Sequence, residues 1–131
     1  MCMVDHLVCL GSIPKICTMR VFLDDKRPTP EGYERTFTVE QTIELIKAND
    51  GNVESVSLDN DLGLGFREGY EVMKWIEEQA YHNTLQPIPH LIIHSGNNVA
   101  VDKMMMARYN AWKYWKDHGY NRAEYLEKIY I

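Results

Sequence analysis

The sequence predicts an α/β fold, a three-layer sandwich built around a reduced, mainly parallel sheet of about four strands. Three observations lead there. First, short apolar runs end abruptly in polar residues: Val21-Phe22-Leu23 before Asp24-Asp25, Val56-Ser57-Leu58 before Asp59-Asn60-Asp61, and Leu91-Ile92-Ile93 before His94-Ser95-Gly96-Asn97-Asn98. Strands buried on both faces of a parallel sheet read this way. Second, segments of helical period alternate with those runs, as parallel strands require for their crossovers. Third, 131 residues suffice for one domain with a real core and are too few for two.

The elements follow in order. Residues 19–24 read as the first strand. Lys26 to Tyr33 holds two prolines and a glycine and is therefore a loop. Glu34 to Val39, rich in Thr, Phe and Val, reads as a short second strand. Thr38 is placed to cap a helix running to about Asn49, with Ile43 and Ile46 on one face. Asn49-Asp50-Gly51-Asn52 stops that helix, and Val53 to Leu58 is the next strand. Asp61 to Glu68 is a loop. Gly69 to about Tyr81 is amphipathic, with Val72, Trp75, Ile76 and Ala80 at helical spacing. Leu91 to Ile93 is the last clear strand, Val99 to Asp117 is helical, and Gly119 ends that helix.

Residues 19–117 thus form the expected domain, with an extension over 1–18 and a short helical tail over 118–131. The extension lacks a basic start, and Asp5, His6 and Pro14 interrupt its apolar stretch, so it does not read as a signal peptide. Cys2, Cys9 and Cys17 are odd in number and match neither a disulfide framework nor a zinc spacing. Free thiols in a reducing cytoplasm are the expectation. Hydrophobic content of 45% and charged content of 25% are ordinary for a globular protein. No apolar run approaches the roughly twenty residues of a membrane span. The net charge of -5 argues against broad binding to double-stranded nucleic acid, which needs a basic face.

The strand ends carry the chemistry. In parallel sheets ligands bind beyond the carboxyl ends of the strands. If the three runs are neighbours, Asp24, Asp25, Asp59 and Asp61 meet there, and such a set suits a hard divalent cation. Magnesium takes oxygen ligands, usually one or two carboxylates together with a substrate phosphate. A cation also relieves the repulsion between adjacent carboxylates. The plain alternative is that these are turn residues, since Asp is common where strands give way to loops. A calcium loop is rejected because the third acidic ligand and the closing Glu are missing.

The Asp24-Asp25 pair and an Asp after a later strand resemble the receiver domain of two-component response regulators, a flavodoxin-like fold. In receivers a Gly follows the acceptor Asp by eight residues, as Gly69 follows Asp61, yet Asp59 is nearer the strand end. Both assignments stay open on the sequence. The chain departs from signalling receivers in having no helix after Asp25 and no fifth strand bearing a Lys; Lys103 lies in a helix. A divergent branch fits better. Leu23-Asp24-Asp25-Lys26-Arg27-Pro28-Thr29-Pro30, Asp59-Asn60-Asp61-Leu62-Gly63 and His94-Ser95-Gly96-Asn97 resemble, in order, the three motifs of the cyclic-phosphate-processing receiver-like domains. Asn60 stands where that family often has His.

The resemblance implies metal-dependent processing of cyclic or terminal phosphates on nucleotides or RNA ends, with a non-enzymatic phosphate-binding or signalling module as the alternative. Magnesium or manganese would be held by Asp24, Asp25 and Asp59 or Asp61. His94 would be a general acid or base, Arg27 would grip phosphate oxygens, and Ser95 and Asn97 would donate hydrogen bonds. Each has a plainer role open to it: a carbonyl partner for His94, Glu31 or Glu34 for Arg27, a helix cap for Asn97. In the last long helix Met105, Tyr109 and Trp112 fall close to one face and are expected to pack on the sheet. A homo-oligomer contact is the second reading for that face.

Overall fold

The computed structural model describes residues 18–120. The expectations for the three cysteines, the extension and most of the tail lie outside those residues. Four strands form one all-parallel sheet in the order β2-β1-β3-β4. They are β1 (Met19–Leu23), β2 (Glu34–Thr36), β3 (Val53–Leu58) and β4 (His90–Ile93). Three helices connect or follow them: α1 (Val39–Ala48), α2 (Tyr70–His82) and α3 (Asn98–Asp117). This is a receiver-like α/β fold. No helix joins β1 to β2, because Pro28 and Pro30 leave the connection as a loop.

Register explains the core. Val21 pairs with Val56 and Leu23 with Leu58, and Val56 and Leu58 in turn pair with Leu91 and Ile93. Side chains alternate across a strand, so these residues share one face. Val21, Leu23, Val56, Leu58 and Leu91 are fully buried in a single cluster with Ile46 of α1, Val72, Met73 and Ile76 of α2, and Met104 and Trp115 of α3. Phe22 and Ser57, on the alternate face, are buried outside that cluster.

Caps set the helix boundaries. Thr38 Oγ1 accepts from the Gln41 N–H at 3.1 Å, and Gln41 Oε1 returns a bond to the Phe37 N–H at 2.8 Å. At the end of α2, Asn83 takes the left-handed conformation with φ 58°. The face of α3 differs from the expected one. Trp112 packs inward, but Met105 and Tyr109 are 43% and 51% exposed. The buried residues of α3 are Ala100, Met104, Ala107, Arg108, Ala111, Trp112 and Trp115. The three buried alanines let the helix backbone approach its neighbours closely, and Met104, Trp112 and Trp115 are buried beside them. Arg108 is buried with them and donates to the Leu91 carbonyl of the edge strand at 2.9 Å. Among the described residues no helix is long and apolar enough to cross a membrane.

Candidate functional site

All four strands run parallel, so their carboxyl ends open on one edge, and the sequence-predicted site residues gather there. Asp24 follows β1, Asp59 follows β3, and His94 follows β4. The sheet hydrogen bonds run on past the strands: the Asp59 N–H donates to Leu23 O at 3.0 Å and the His94 N–H to Leu58 O at 2.9 Å. Asp24, Asp25 and Asp59 each offer a carboxylate oxygen within 4.8 Å of the others. Hard oxygen donors at that spacing fit magnesium or manganese.

Asp61 lines the same cleft but stands outside that group. Its Oδ1 accepts from Asn60 Nδ2 at 3.1 Å and from Asn97 Nδ2 at 3.3 Å. The cleft is open, about 390 Å³ in volume, and is lined by Asp24, Asp25, Lys26, Arg27, Asp59, Asp61 and Gly96. That size accommodates a small organic ligand.

Asp24 is the hub. Its Oδ1 accepts from the backbone N–H groups of Lys26 (2.7 Å) and Arg27 (3.0 Å), and its Oδ2 from Arg27 Nη1 (2.8 Å) and His94 Nε2 (2.9 Å). Burial alone would raise its pKa. The two backbone N–H groups, the guanidinium and the imidazole outweigh burial and hold the carboxyl well below the usual carboxylate range. A carboxylate depressed in this way stabilises the fold above its unfolded pKa of about 3.9. That contribution is lost as pH falls through the lower folded value. Asp24→Asn turns one acceptor into an amide donor facing other donors. It is expected to cost about 2–3 kcal/mol in a urea melt at pH 7. An unchanged midpoint would remove Asp24 from its place as hub.

Arg27 bridges the acids rather than pairing with Glu31 or Glu34. Nη1 lies 2.8 Å from Asp24 and 3.5 Å from Asp59. The Asp24 carboxylate raises the guanidinium pKa, so its charge is permanent. Arg35 fixes the loop behind it, donating to the Arg27 carbonyl and to Thr29 Oγ1 at 2.8 Å. Asp59 is shifted the other way. Burial first, then the Asp24 charge, push its pKa up.

His94 sits behind the acids and is not among the cleft-lining residues. Its Nδ1 meets Ser57 Oγ at 2.7 Å, its Nε2 meets Asp24, and its ring stacks on Phe22 at 4.6 Å between centroids. Burial lowers its pKa against the pull of Asp24. In the neutral ring, Nε2–H must face the carboxylate, which only accepts, and Nδ1 accepts a hydrogen bond from the Ser57 hydroxyl. Both nitrogens are therefore engaged. Ser95 is likewise turned to the loop, its Oγ accepting from the Asn97 N–H at 3.1 Å. Asn97 does two things: Oδ1 caps α3 through the Ala100 N–H at 3.1 Å, and Nδ2 faces Asp61.

Sequence reasoning missed Ser57, Phe22 and the structural task of Asn60. Buried Ser55 and Ser57 alternate with buried Val56 and Leu58 in β3, and that polar face was the available signal. Asn60 is 1% exposed, and its Oδ1 accepts from the Tyr70 N–H at 2.9 Å, capping α2 from a distance. Its Nδ2 orients Asp61.

The model of the cyclic-phosphate processing receiver domain matches residues 19–110. The chain belongs to that family. The match takes in all three motifs and the strand ends they follow. Comparison with curated proteins and with solved structures returned no match. A role linked to cyclic-phosphate processing therefore rests on the family.

Proposed function

We propose that this receiver domain hydrolyses a cyclic or terminal phosphate on a nucleotide or RNA end, with magnesium or manganese held by Asp24, Asp25 and Asp59. The observation that carries the reading is the convergence of those three carboxylates within 4.8 Å, beside a guanidinium, at the open end of a parallel sheet. Such a cation, when bound, supplies charge neutralisation at the phosphoryl oxygens.

The chain's own groups do the rest. Arg27, half-exposed on the cleft wall, offers N–H donors to phosphate oxygens. Asp61 is the carboxylate left over for proton transfer, held in orientation by the Asn60 and Asn97 amides. In opening a cyclic ester, a bond forms from water oxygen to phosphorus and one ring P–O bond breaks. The water proton passes through Asp61 to the leaving alkoxide. His94 acts through Asp24: its N–H fixes Oδ2, which makes it a positioning residue. Ser57 and Phe22 hold the ring in place for that task.

The test is turnover of 2′,3′- and 3′,5′-cyclic nucleotides and of cyclic-phosphate-ended RNA, with magnesium or manganese and with chelator. Asp61→Asn is expected to lower kcat about a hundred-fold or more while leaving magnesium affinity and stability near the wild type. Equal turnover by the variant would take proton transfer away from Asp61. The arrangement of Asp59 beside the acid pair also suits a phosphoryl acceptor. That second reading predicts labelling of Asp59 by acetyl phosphate without turnover of cyclic esters.

A further inference from the structure

Two apolar side chains stand uncovered beside the cleft, on the loop between β3 and α2. Leu64 is 99% and Phe66 59% exposed. Gly63 (φ 108°) and Gly65 (φ 87°) take backbone conformations that other residues rarely adopt, and between them they turn this segment outward. Phe66 lies close to the acids. A side-chain carbon at Gly63 would meet the Phe66 ring at 3.3 Å and Asp25 Oδ2 at 3.8 Å. Ring and carboxylate thus both border the space beside Gly63.

The loop is held rather than loose. The Phe66 N–H donates to Gly63 O at 3.2 Å, and the Gly69 N–H to Asn60 O at 2.9 Å. Arg67 ties the loop to both flanking helices through Glu71 (2.6 Å) and Glu40 (3.1 Å). Part of the ordering cost of a binding surface is therefore met in the fold itself.

The cleft is lined by charged residues apart from Gly96, and none of them is aromatic, so the lining itself gives a base no ring to stack on. One phenyl ring and one leucine are far too small for a protein interface, which buries about 800 Å² per partner. They match the face of a single base.

We propose that Phe66, flanked by Leu64, is the platform on which the base of the phosphate-bearing nucleotide stacks. This rests on the phosphate-processing reading and adds the residue that selects a base-bearing substrate over a simple sugar phosphate. Stacking tolerates any base, since each presents a π-face. The selection is therefore for an unpaired base rather than for a particular one.

The experiment is calorimetric binding of adenosine 2′,3′-cyclic phosphate and of ribose 2′,3′-cyclic phosphate, which lacks the base. Both are measured with magnesium on the full chain, on Phe66→Ala and on Phe66→Trp. Wild type is expected to bind the adenosine ligand more tightly. Phe66→Ala should weaken that ligand about ten- to a hundred-fold and leave the base-less one unchanged, while Phe66→Trp keeps the preference. Equal wild-type affinity for the two ligands, or equal weakening of both in Phe66→Ala, overturns the platform and leaves the phosphate reading standing. Binding of neither ligand overturns both.

Discussion

Asp59→Asn is expected to give a protein more stable at neutral pH than the wild type and deaf to magnesium. The carboxyl of Asp59 is 7% exposed as a residue, and burial together with the neighbouring Asp24 charge raises its pKa. A carboxylate with a raised folded pKa opposes folding at any pH above that value. The cost disappears as pH falls through the folded value toward the unfolded one, about 3.9. Asn carries no charge, and its oxygen can still accept from the Asn60 N–H, as Asp59 Oδ1 does at 2.8 Å. What is lost is the 3.5 Å pairing with Arg27, whose side chain is 53% exposed, and a pair of that kind contributes little. Release of a buried, repelled charge therefore wins.

In the wild type a bound divalent cation would offset the same cost, so magnesium should raise the urea midpoint at pH 7. In the variant that rise should vanish, and turnover should fall about a thousand-fold or more. A variant less stable than wild type, or one that magnesium still stabilises, would show that Asp59 is not the strained member of the cluster. Such opposed signs in stability and activity are what a residue kept for function produces.

Much of this arrangement is legible in the sequence, for local reasons. The apolar runs at Val21, Val56 and Leu91 end in polar residues where the strands end, and Thr38 and Asn97 cap helices as their types suggest. What stayed hidden depends on contacts between distant segments. The spacing from Asp61 to Gly69 and the strand-end position of Asp59 pointed to different residues. Only the packing of β1 against β3 shows that Asp59 joins Asp24 and Asp25. Periodicity placed Met105 and Tyr109 on the same face as Trp112. It could not show that the alanines of α3, being small, would take the inner position. Asn60 stands where the resembled family often has His and so read as one acid or base fewer, yet its side chain serves the first turn of α2.

The glycine that opens α2 is where the fold should prove least forgiving. Gly69 has φ -59° and ψ -26°, an ordinary helical conformation. By backbone conformation alone, alanine there would be unstrained. Space decides otherwise. A Cβ at Gly69 would lie 1.8 Å from the Asp59 carbonyl oxygen and 2.8 Å from its carbon. These are backbone atoms and cannot rotate away, so α2 or the end of β3 must move. Gly69→Ala is therefore expected to cost about 3 kcal/mol or more in a denaturant melt.

The same push displaces Asp59 and should weaken the magnesium response of whatever fraction remains folded. Two controls separate crowding from other effects. Gly96→Ala, with open space around the Cβ and no left-handed φ, should be nearly silent although Gly96 lines the cleft. Gly65→Ala, at φ 87° with nothing within 4 Å, should cost only the backbone strain, about 1–2 kcal/mol. If Gly69→Ala proved as mild as Gly96→Ala, the close approach of α2 to the Asp59 backbone would be wrong, and with it the way this chain holds its third carboxylate.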